Sequence, residues 1–159
     1  MEVLFVCHGN TCRSPTAATV TRDLLARRGV EAILVSSAGT QPRHEGDPPN
    51  KLAVAEGQRR GYTIEGRARR LTPALLANAD LVIAMEQENL EAIDAILRGA
   101  DPEDHPERRL FLDFVTDRAP SSPIPDPWGK GVDAYCAMVD AVEEAARALV
   151  GHLAPTDEN

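Results

Sequence analysis

The sequence predicts one α/β domain in which helices cover both faces of a doubly wound, four-stranded parallel sheet. Short, continuous apolar runs recur along the chain, and such runs are typical of strands that are buried on both faces. Segments with the period of amphipathic helices separate these runs, and this alternation is typical of parallel sheets. The length of 159 residues suits a single domain.

The apolar runs place the four predicted strands at residues 3–6, 33–35, 81–85 and 110–112. Crossovers between parallel strands are right-handed in almost all such folds. Ligands bind beyond the carboxyl ends of the strands, at the point where the strand order reverses. We therefore expect the functional site in the loop after the first strand, together with the long loop that follows the fourth strand.

The first helix is predicted from capping residues and from an apolar stripe. Ser14 is the predicted N-cap, Pro15 the first helical residue and Gly29 the stop signal. The stripe consists of Ala17, Val20, Leu24 and Leu25. Further helices are predicted over residues 48–60, from Thr72-Pro73, around 90–97 and over 132–153. Loops are predicted at residues 40–50, 101–108 and 117–131, and residues 154–159 are a predicted frayed tail.

Composition and charge exclude several classes of protein. Hydrophobic residues make up 43% of the chain and charged residues 26%, which is typical of a globular rather than a disordered protein. No apolar run approaches the roughly 20 residues of a membrane span, and none has the form of a secretory signal. We therefore expect a cytoplasmic protein without a membrane partner. The net charge of −8 argues against nucleic-acid binding. The three cysteines suit neither a disulfide framework nor a zinc motif.

The segment from Cys7 to Arg13 connects the first strand to the first helix and has the residues of an anion site. Free N–H groups at the helix N-terminus can converge on one anion, and Gly9 and Asn10 tolerate the positive φ that such a loop needs. The guanidinium of Arg13 suits two phosphate oxygens. Cys7 lies at the floor, where positive surroundings favour the thiolate, and Ser14 can donate a hydrogen bond to it. The pattern predicts a nucleophile aimed at a bound phosphorus atom.

Two other interpretations explain this loop less well. The G-x-x-x-x-G-K-[ST] motif of nucleotide-binding loops is absent from it. A backbone loop that binds phosphate without chemistry needs neither a cysteine at its floor nor an arginine six residues later.

The segment VCHGNTCRSP at residues 6–15 resembles the signature loop of the low-molecular-weight protein-tyrosine-phosphatase family. The segment PDPWG at residues 125–129 resembles the Asp-Pro loop before the last helix of that family. The resemblance extends over about residues 1–152 and implies a flavodoxin-like phosphatase domain at residues 1–153. Two further matching segments are VSSAGT at residues 35–40 and DLVIAM at residues 80–85.

By this resemblance the chain is a hydrolase that acts on phosphorylated proteins or peptides. Cys7 attacks phosphorus and forms a phosphocysteine, while Arg13 and the loop N–H groups bind the phosphoryl oxygens. Asp126 is the general acid for the leaving group and then the base for the attacking water. No metal or cofactor is expected, since arginine and N–H groups supply the positive charge. The remaining residues of the phosphate-binding loop are His8, Gly9, Asn10, Thr11, Cys12 and Ser14.

The resemblance also implies a polar network that holds the loop rigid. Asn10, Ser14 and Ser37 form this network. The family often adds a histidine near residues 66–69, and this chain has Gly66 at the matching position. That part of the network is therefore missing or replaced.

Four positions bear on the substrate. Tyrosine-specific members usually have a bulky aliphatic residue where this chain has Thr11, and threonine resembles the subgroup that acts on phosphoarginine in proteins. Trp128 can form one pocket wall, but Gly129 replaces the second aromatic residue that tyrosine-specific members often have. Trp128 can stack on arginine or tyrosine. His44 is a candidate for the pocket mouth. These residues slightly favour phosphoarginine over phosphotyrosine.

A redox role is open for Cys12, which lies beside Cys7 in the family loop. It either packs only, or forms a reversible disulfide with Cys7 that protects the thiolate from over-oxidation. Thiol-based arsenate reductases share this fold by resemblance, but their disulfide relay needs a cysteine where this chain has Met85 and Glu86. That activity is a remote alternative.

Two arginine clusters remain, Arg59-Arg60 and Arg67-Arg69-Arg70. We expect them to be solvated faces. The alternative is that they guide an acidic phosphoprotein to the enzyme.

Overall fold

The computed structural model describes residues 1–43 and 45–156, and its centre is a parallel sheet of four strands. In chain order the strands are β1 (Glu2–Cys7), β2 (Leu34–Gly39), β3 (Leu81–Ala84) and β4 (Glu107–Leu110). Their order across the sheet is β2-β1-β3-β4, and each pair of neighbours is parallel. This is the order of a flavodoxin-like, doubly wound sheet, so the predicted fold class is confirmed.

The α-helices of the described residues lie on both faces of this sheet. They are α1 (Arg13–Arg27), α2 (Lys51–Arg59), α3 (Pro73–Asn78), α4 (Gln87–Leu97) and α5 (Val132–Leu153). On one face α1 packs against α5, and α2 also packs against α5. On the other face α3 and α4 cover β1 and β3. Each helix corresponds to a predicted one.

The side chains of β1 alternate between the two helical layers, which explains its uninterrupted apolar sequence. Val3, Phe5 and Cys7 belong to the cluster with α1 and α5, whereas Leu4 and Val6 belong to the cluster with α3 and α4. All five residues are at most 2% exposed. Because β2 and β3 flank β1, the strand order reverses at its carboxyl end, where ligand sites of this fold class lie. Cys7 is the last residue of the strand at that point.

The prediction of a fourth strand at residues 110–112 is wrong, because β4 ends at Leu110. β4 lies at the sheet edge, so Arg108 and Arg109 stay half-buried and its sequence contains no apolar run. The apolar residues that follow form a short 3₁₀-helix, Phe111–Phe114, that packs against α5. The predicted loop at residues 101–108 contains a turn of 3₁₀-helix and the start of β4.

The predicted start of the first helix is also wrong. The helix begins at Arg13, and Cys12 occupies the N-cap position without a capping hydrogen bond from its side chain. The Ser14 hydroxyl bonds instead to groups of the preceding loop. Pro15 is then the third helical residue, where its missing N–H is harmless because the first-turn N–H groups lack helical partners.

The Arg59-Arg60 pair is a solvated face only in part. Arg60 is half-buried between α2 and α5, where it donates to Glu56 (2.7 Å), Asp140 (2.7 Å) and Glu143 (2.6 Å). Hydrogen bonds from Arg59 and Arg60 lower the pKa of Glu56 to about 2, against the opposing effect of its burial. These bonds connect α2 to α5. The prediction that Arg60 belongs to a solvated face is therefore wrong.

The C-terminal tail is described only in part, since residues 157–159 lie outside the described residues. Arg28 donates from Nη1 to the carbonyl of Ala154 at 3.2 Å. The domain boundary after residue 153 stays a prediction. In residues 1–43 and 45–156, none of the helices has the length and apolar character that a membrane span requires.

Candidate active site

The loop between β1 and α1 folds back over the side chain of Cys7. Its Sγ atom lies 2.9 Å from Ser14 Oγ and accepts a hydrogen bond from the backbone N–H of Asn10 at 3.2 Å. Asn10 has a φ of 56°, the positive φ expected at this position. Gly39 of β2 lies against the loop. A Cβ atom on this residue would lie only 2.8 Å from the carbonyl oxygen of His8. This close approach requires glycine at the end of β2.

The Asn10 side chain connects the loop to β2 and to a distant segment. Its Nδ2 donates to Ser14 Oγ (2.8 Å) and Ser37 Oγ (3.0 Å), so the structure brings the three predicted residues together. Its Oδ1 accepts a hydrogen bond from the backbone N–H of Arg69 at 2.9 Å. Gly66 has a φ of +108°, which a histidine adopts only with strain. The network therefore uses the Arg69 backbone, a partner that sequence reasoning missed.

Arg13 is only 2% exposed, and three groups accept its hydrogen bonds or pair with its charge. Its two terminal nitrogens lie 3.2 Å from the two carboxylate oxygens of Glu86, a forked arrangement. Nη2 lies 3.5 Å from Asp126 Oδ2, and Nη1 donates to the Ile124 carbonyl at 3.4 Å. Burial lowers the pKa of Arg13, but the hydrogen bond to Glu86 and the charges of Cys7 and Asp126 raise it more. The guanidinium therefore stays charged.

Glu86 is a site residue that sequence reasoning missed. It directly follows Met85 at the end of β3, and its own N–H donates to the Asn89 side chain at 3.1 Å. The sequence does offer one signal, an acidic residue directly after a buried strand. This signal points to the loop after β1 only once the order of the strands is known.

We expect Glu86→Gln to lower kcat/KM by about 10- to 100-fold, the loss of a charge-assisted hydrogen bond. The amide cannot accept both N–H groups of Arg13, so the guanidinium would be held less firmly. Initial rates of phosphate release measure the effect. Glu88→Gln, on the exposed side of the same helical turn, is the matched control. Equal rates for both variants and the wild type would contradict the role of Glu86.

Asp126 lies in the long loop before α5, and that loop is anchored to the sheet next to it. Ile124 donates its N–H to the Met85 carbonyl at 2.8 Å, which fixes the loop at the end of β3. Asp126 Oδ1 accepts a hydrogen bond from the N–H of Trp128 at 3.1 Å. The Asp126 side chain is 50% exposed, so one face of the carboxylate is open to a ligand. Trp128 is 64% exposed beside it.

These residues enclose a cavity of about 280 Å³ with Cys7 at its floor. The residues that line it are Cys7, His8, Gly9, Thr11, Cys12, Arg13, Gln41, Arg43, Asp126 and Trp128. Gln41 and Arg43 are additions to the predicted set. Asn10, Ser14 and Ser37 lie outside the lining and support the loop. The predicted pocket residue His44 lies outside the described residues.

Cys12 faces α5 as well as the cavity. Its Sγ lies 3.8 Å from both Tyr135 Oη and Thr11 Oγ1, and burial raises the pKa of its thiol. Burial also raises the pKa of Tyr135. All three cysteines are free thiols. Within residues 1–43 and 45–156, no group of three or more His, Cys, Asp or Glu side chains is placed to hold a metal ion.

Known proteins match the chain along almost its entire length. The model of the family "low molecular weight phosphotyrosine protein phosphatase" matches residues 2–158. The chain is 37% identical over 142 residues to the low molecular weight protein-tyrosine-phosphatase YfkJ of Bacillus subtilis, which covers 87% of this chain and 88% of YfkJ.

Two solved structures are similar in fold. A protein tyrosine phosphatase from Entamoeba histolytica, with Hepes in its active site, has a TM-score of 0.88 and 28% identity, covering 96% of each chain. YwlE of Bacillus subtilis is described as an arginine phosphatase. Its structure was solved for a mutant with a phosphorylated serine in the active site. The TM-score is 0.84 and the identity 28%, and the match covers 99% of this chain and 98% of YwlE. The chain therefore belongs to the low molecular weight phosphotyrosine protein phosphatase family and is an enzyme of that family.

Proposed function

We propose that the chain hydrolyses phosphorylated protein side chains through a phosphocysteine on Cys7, and that phosphoarginine is its preferred substrate. One observation carries the mechanism. The Cys7 sulfur is held by Ser14 and Asn10 at the floor of a cavity that the buried cation Arg13 lines. This arrangement aims a nucleophile at the point where the guanidinium and the loop N–H groups would hold a phosphoryl group.

The proposed reaction has two steps. The Cys7 thiolate attacks phosphorus in line, the S–P bond forms, and the bond from phosphorus to the side chain breaks. Asp126 donates its proton to the leaving oxygen or nitrogen. Asp126 then accepts a proton from water while that water attacks the phosphocysteine, which releases inorganic phosphate and restores the thiolate. Arg13 carries the positive charge that stabilises the equatorial oxygens in both steps.

Two features of the cavity support phosphoarginine. Thr11 brings a hydroxyl to the cavity, with which a guanidinium can form a hydrogen bond. Among the described residues that line the cavity, Trp128 alone is a Phe, Trp or Tyr, and Gly129 has a φ of +75° that an aromatic residue would adopt only with strain. The similarity to YwlE, described as an arginine phosphatase, supports the same choice.

Phosphotyrosine is the second candidate. The relative YfkJ is described as a protein-tyrosine-phosphatase, and Trp128 can stack on a tyrosine ring as well as on a guanidinium. The reaction steps are the same for both substrates.

The two candidates are separated by one peptide that carries either phosphoarginine or phosphotyrosine at the same position. We expect kcat/KM to be at least about tenfold higher for the phosphoarginine peptide, a difference of about 1.4 kcal/mol in transition-state binding. Cys7→Ser is the blank, and we expect it to release no phosphate. A tenfold preference for phosphotyrosine would overturn the substrate, and release by neither peptide would overturn the enzyme mechanism.

The variant Thr11→Ile tests whether Thr11 sets this preference. Loss of a hydroxyl that bonds the substrate costs about 1–3 kcal/mol, so the ratio of the two kcat/KM values should move toward phosphotyrosine by about fivefold or more. Thr63→Ile makes the same change at an exposed position outside the cavity and is the control. An unchanged ratio in Thr11→Ile would contradict the role of Thr11.

We propose a redox role for Cys12 as well. Peroxide oxidises the Cys7 thiolate to a sulfenic acid, and attack by the Cys12 sulfur would then form a disulfide and release water. After mild peroxide we expect a Cys7–Cys12 disulfide by mass spectrometry, with activity restored by dithiothreitol. Cys12→Ser should instead collect irreversible sulfinic acid on Cys7, with Cys136→Ser as the matched control. Sulfinic acid on Cys7 of the wild type, without a disulfide, would contradict this role.

A further inference from the structure

A second cavity, also of about 280 Å³, borders the phosphate-binding loop without sharing a lining residue with the cavity over Cys7. It touches the loop only through Asn10. Its walls are α1 at Pro15 and Arg22, the edge of β2 at residues 35–37, and the segment 65–69. The proposed reaction does not use this cavity, and two of its residues, Arg67 and Arg69, belong to an arginine cluster whose role the sequence leaves open.

Three arginines line this cavity, and each is fixed by one hydrogen bond to a backbone carbonyl. Arg22 Nε donates to Val35 (3.2 Å), Arg67 Nη1 to Gly46 (3.1 Å) and Arg69 Nε to Ser37 (2.9 Å). Among the described residues, no carboxylate lies within ion-pair distance of these three guanidinium groups.

These bonds leave donors available on all three side chains. The Nη groups of Arg22 and Arg69 make no hydrogen bond within residues 1–43 and 45–156. Glu65 is the one carboxylate in the lining, against three cations, on a chain with a net charge of −8. The cavity is therefore locally positive on a negative molecule. Arginine clusters of this kind suit oxyanions, because each planar guanidinium can donate to two oxygens.

We infer that this cavity binds a phosphate-type oxyanion, as a site separate from the one over Cys7. The inference holds whichever phosphorylated side chain the enzyme hydrolyses. Arg69 joins the two sites, because its side chain faces this cavity while its backbone N–H holds Asn10 Oδ1 at 2.9 Å. An oxyanion bound to the Arg69 side chain would thus contact the same residue whose backbone N–H supports Asn10 in the phosphate-binding loop.

Titration of the ¹⁵N-labelled enzyme with inorganic phosphate, followed by amide chemical shifts, tests the inference. We expect two groups of signals to move with separate binding curves. One group belongs to the loop from Cys7 to Arg13, and the other to Arg22, Ser36 and Arg67. Because the groups are read separately and without turnover, loss of the second group would overturn this site and leave the proposed function untouched.

The double variant Arg22→Gln and Arg67→Gln should weaken the second binding curve at least about tenfold, since it removes two charges that can donate hydrogen bonds to the oxyanion. Arg69 is left in place because its side chain holds the carbonyl of Ser37, whose hydroxyl bonds Asn10. Arg27→Gln with Arg98→Gln removes the same charge outside the cavity and is the control. An unchanged second curve in the double variant, or an equal loss in the control, would overturn the site. The single variant Arg67→Gln answers the same question if the double variant loses its dispersed spectrum.

The source of the oxyanion is distinguished by a second titration with a short phosphoserine peptide. If the amide signals of Arg22 and Arg67 move at a lower concentration of the peptide than of inorganic phosphate, the site is assigned to a phosphorylated protein. Shifts with inorganic phosphate alone would assign it to the free anion. If neither probe moves these signals, the cavity is not an oxyanion site.

Discussion

Asp126→Asn is expected to lower kcat by about two to four orders of magnitude, the usual contribution of a general acid, and to leave KM nearly unchanged. The carboxylate lies 3.5 Å from the buried guanidinium of Arg13 and is half-exposed to the cavity. It is therefore beside the atoms that bind phosphate and free to reach the leaving atom. Asparagine keeps the size and the Oδ1 that accepts the Trp128 N–H, but it has no proton to give.

The leaving group separates this role from a merely structural one. Nitrophenolate is weakly basic and leaves without much protonation. Asp126→Asn should therefore lower the rate of phosphocysteine formation much less with 4-nitrophenyl phosphate than with a phosphorylated peptide. The variant then lacks the base for the second step, and we expect a burst of nitrophenolate in stopped-flow measurements. Asp133→Asn, at an exposed position in the first turn of α5, is the control. Equal losses in the rate of phosphocysteine formation on both substrates, measured as kcat/KM, would contradict the general acid role.

The parts of the site that are contiguous in the chain could be predicted from the sequence. The strand, the loop and the first turn of α1 lie within residues 2–15, so local rules for buried strands and helix N-termini already predict that Cys7 and Arg13 share one anion site. The resemblance added Asp126, and the structure places its carboxylate 3.5 Å from Arg13. Its catalytic role stays a prediction that Asp126→Asn tests.

The parts that depend on strand order could not be predicted in the same way. Glu86 reaches Arg13 only because β3 lies next to β1, and an alternation of strands and helices does not determine which strands are neighbours. Arg69 reaches Asn10 from 59 residues away through a segment without regular structure. The position of β4 at Glu107–Leu110 is missed for a related reason. An edge strand needs no apolar run, and hydrophobic periodicity alone cannot detect it.

Arg13→Lys is expected to lower kcat/KM by about three orders of magnitude, the lower end of the range for an arginine that stabilises phosphoryl transfer. Lysine keeps the positive charge but loses the planar fork that matches two phosphoryl oxygens. The surroundings of Arg13 are built for that fork, since Glu86 accepts a hydrogen bond from Nη2 and pairs with Nη1 at 3.2 Å, and the Ile124 carbonyl accepts from Nη1. A lysine ammonium cannot satisfy all of these acceptors in the same plane.

Vanadate binding separates the loss of transition-state stabilisation from a loss of phosphate affinity. Vanadate takes five-coordinate geometry like the phosphoryl group in transfer, and groups that act mainly in the transition state bind its analogues more tightly than the ground state. Arg13→Lys should therefore weaken inhibition by vanadate more than inhibition by inorganic phosphate. Arg27→Lys, an exposed residue paired with Asp23 on the same helix, is the matched control and should change neither. Equal weakening of both inhibitors would mean that Arg13 only attracts anions, and Cys7 with the loop N–H groups would then carry the transition-state stabilisation alone.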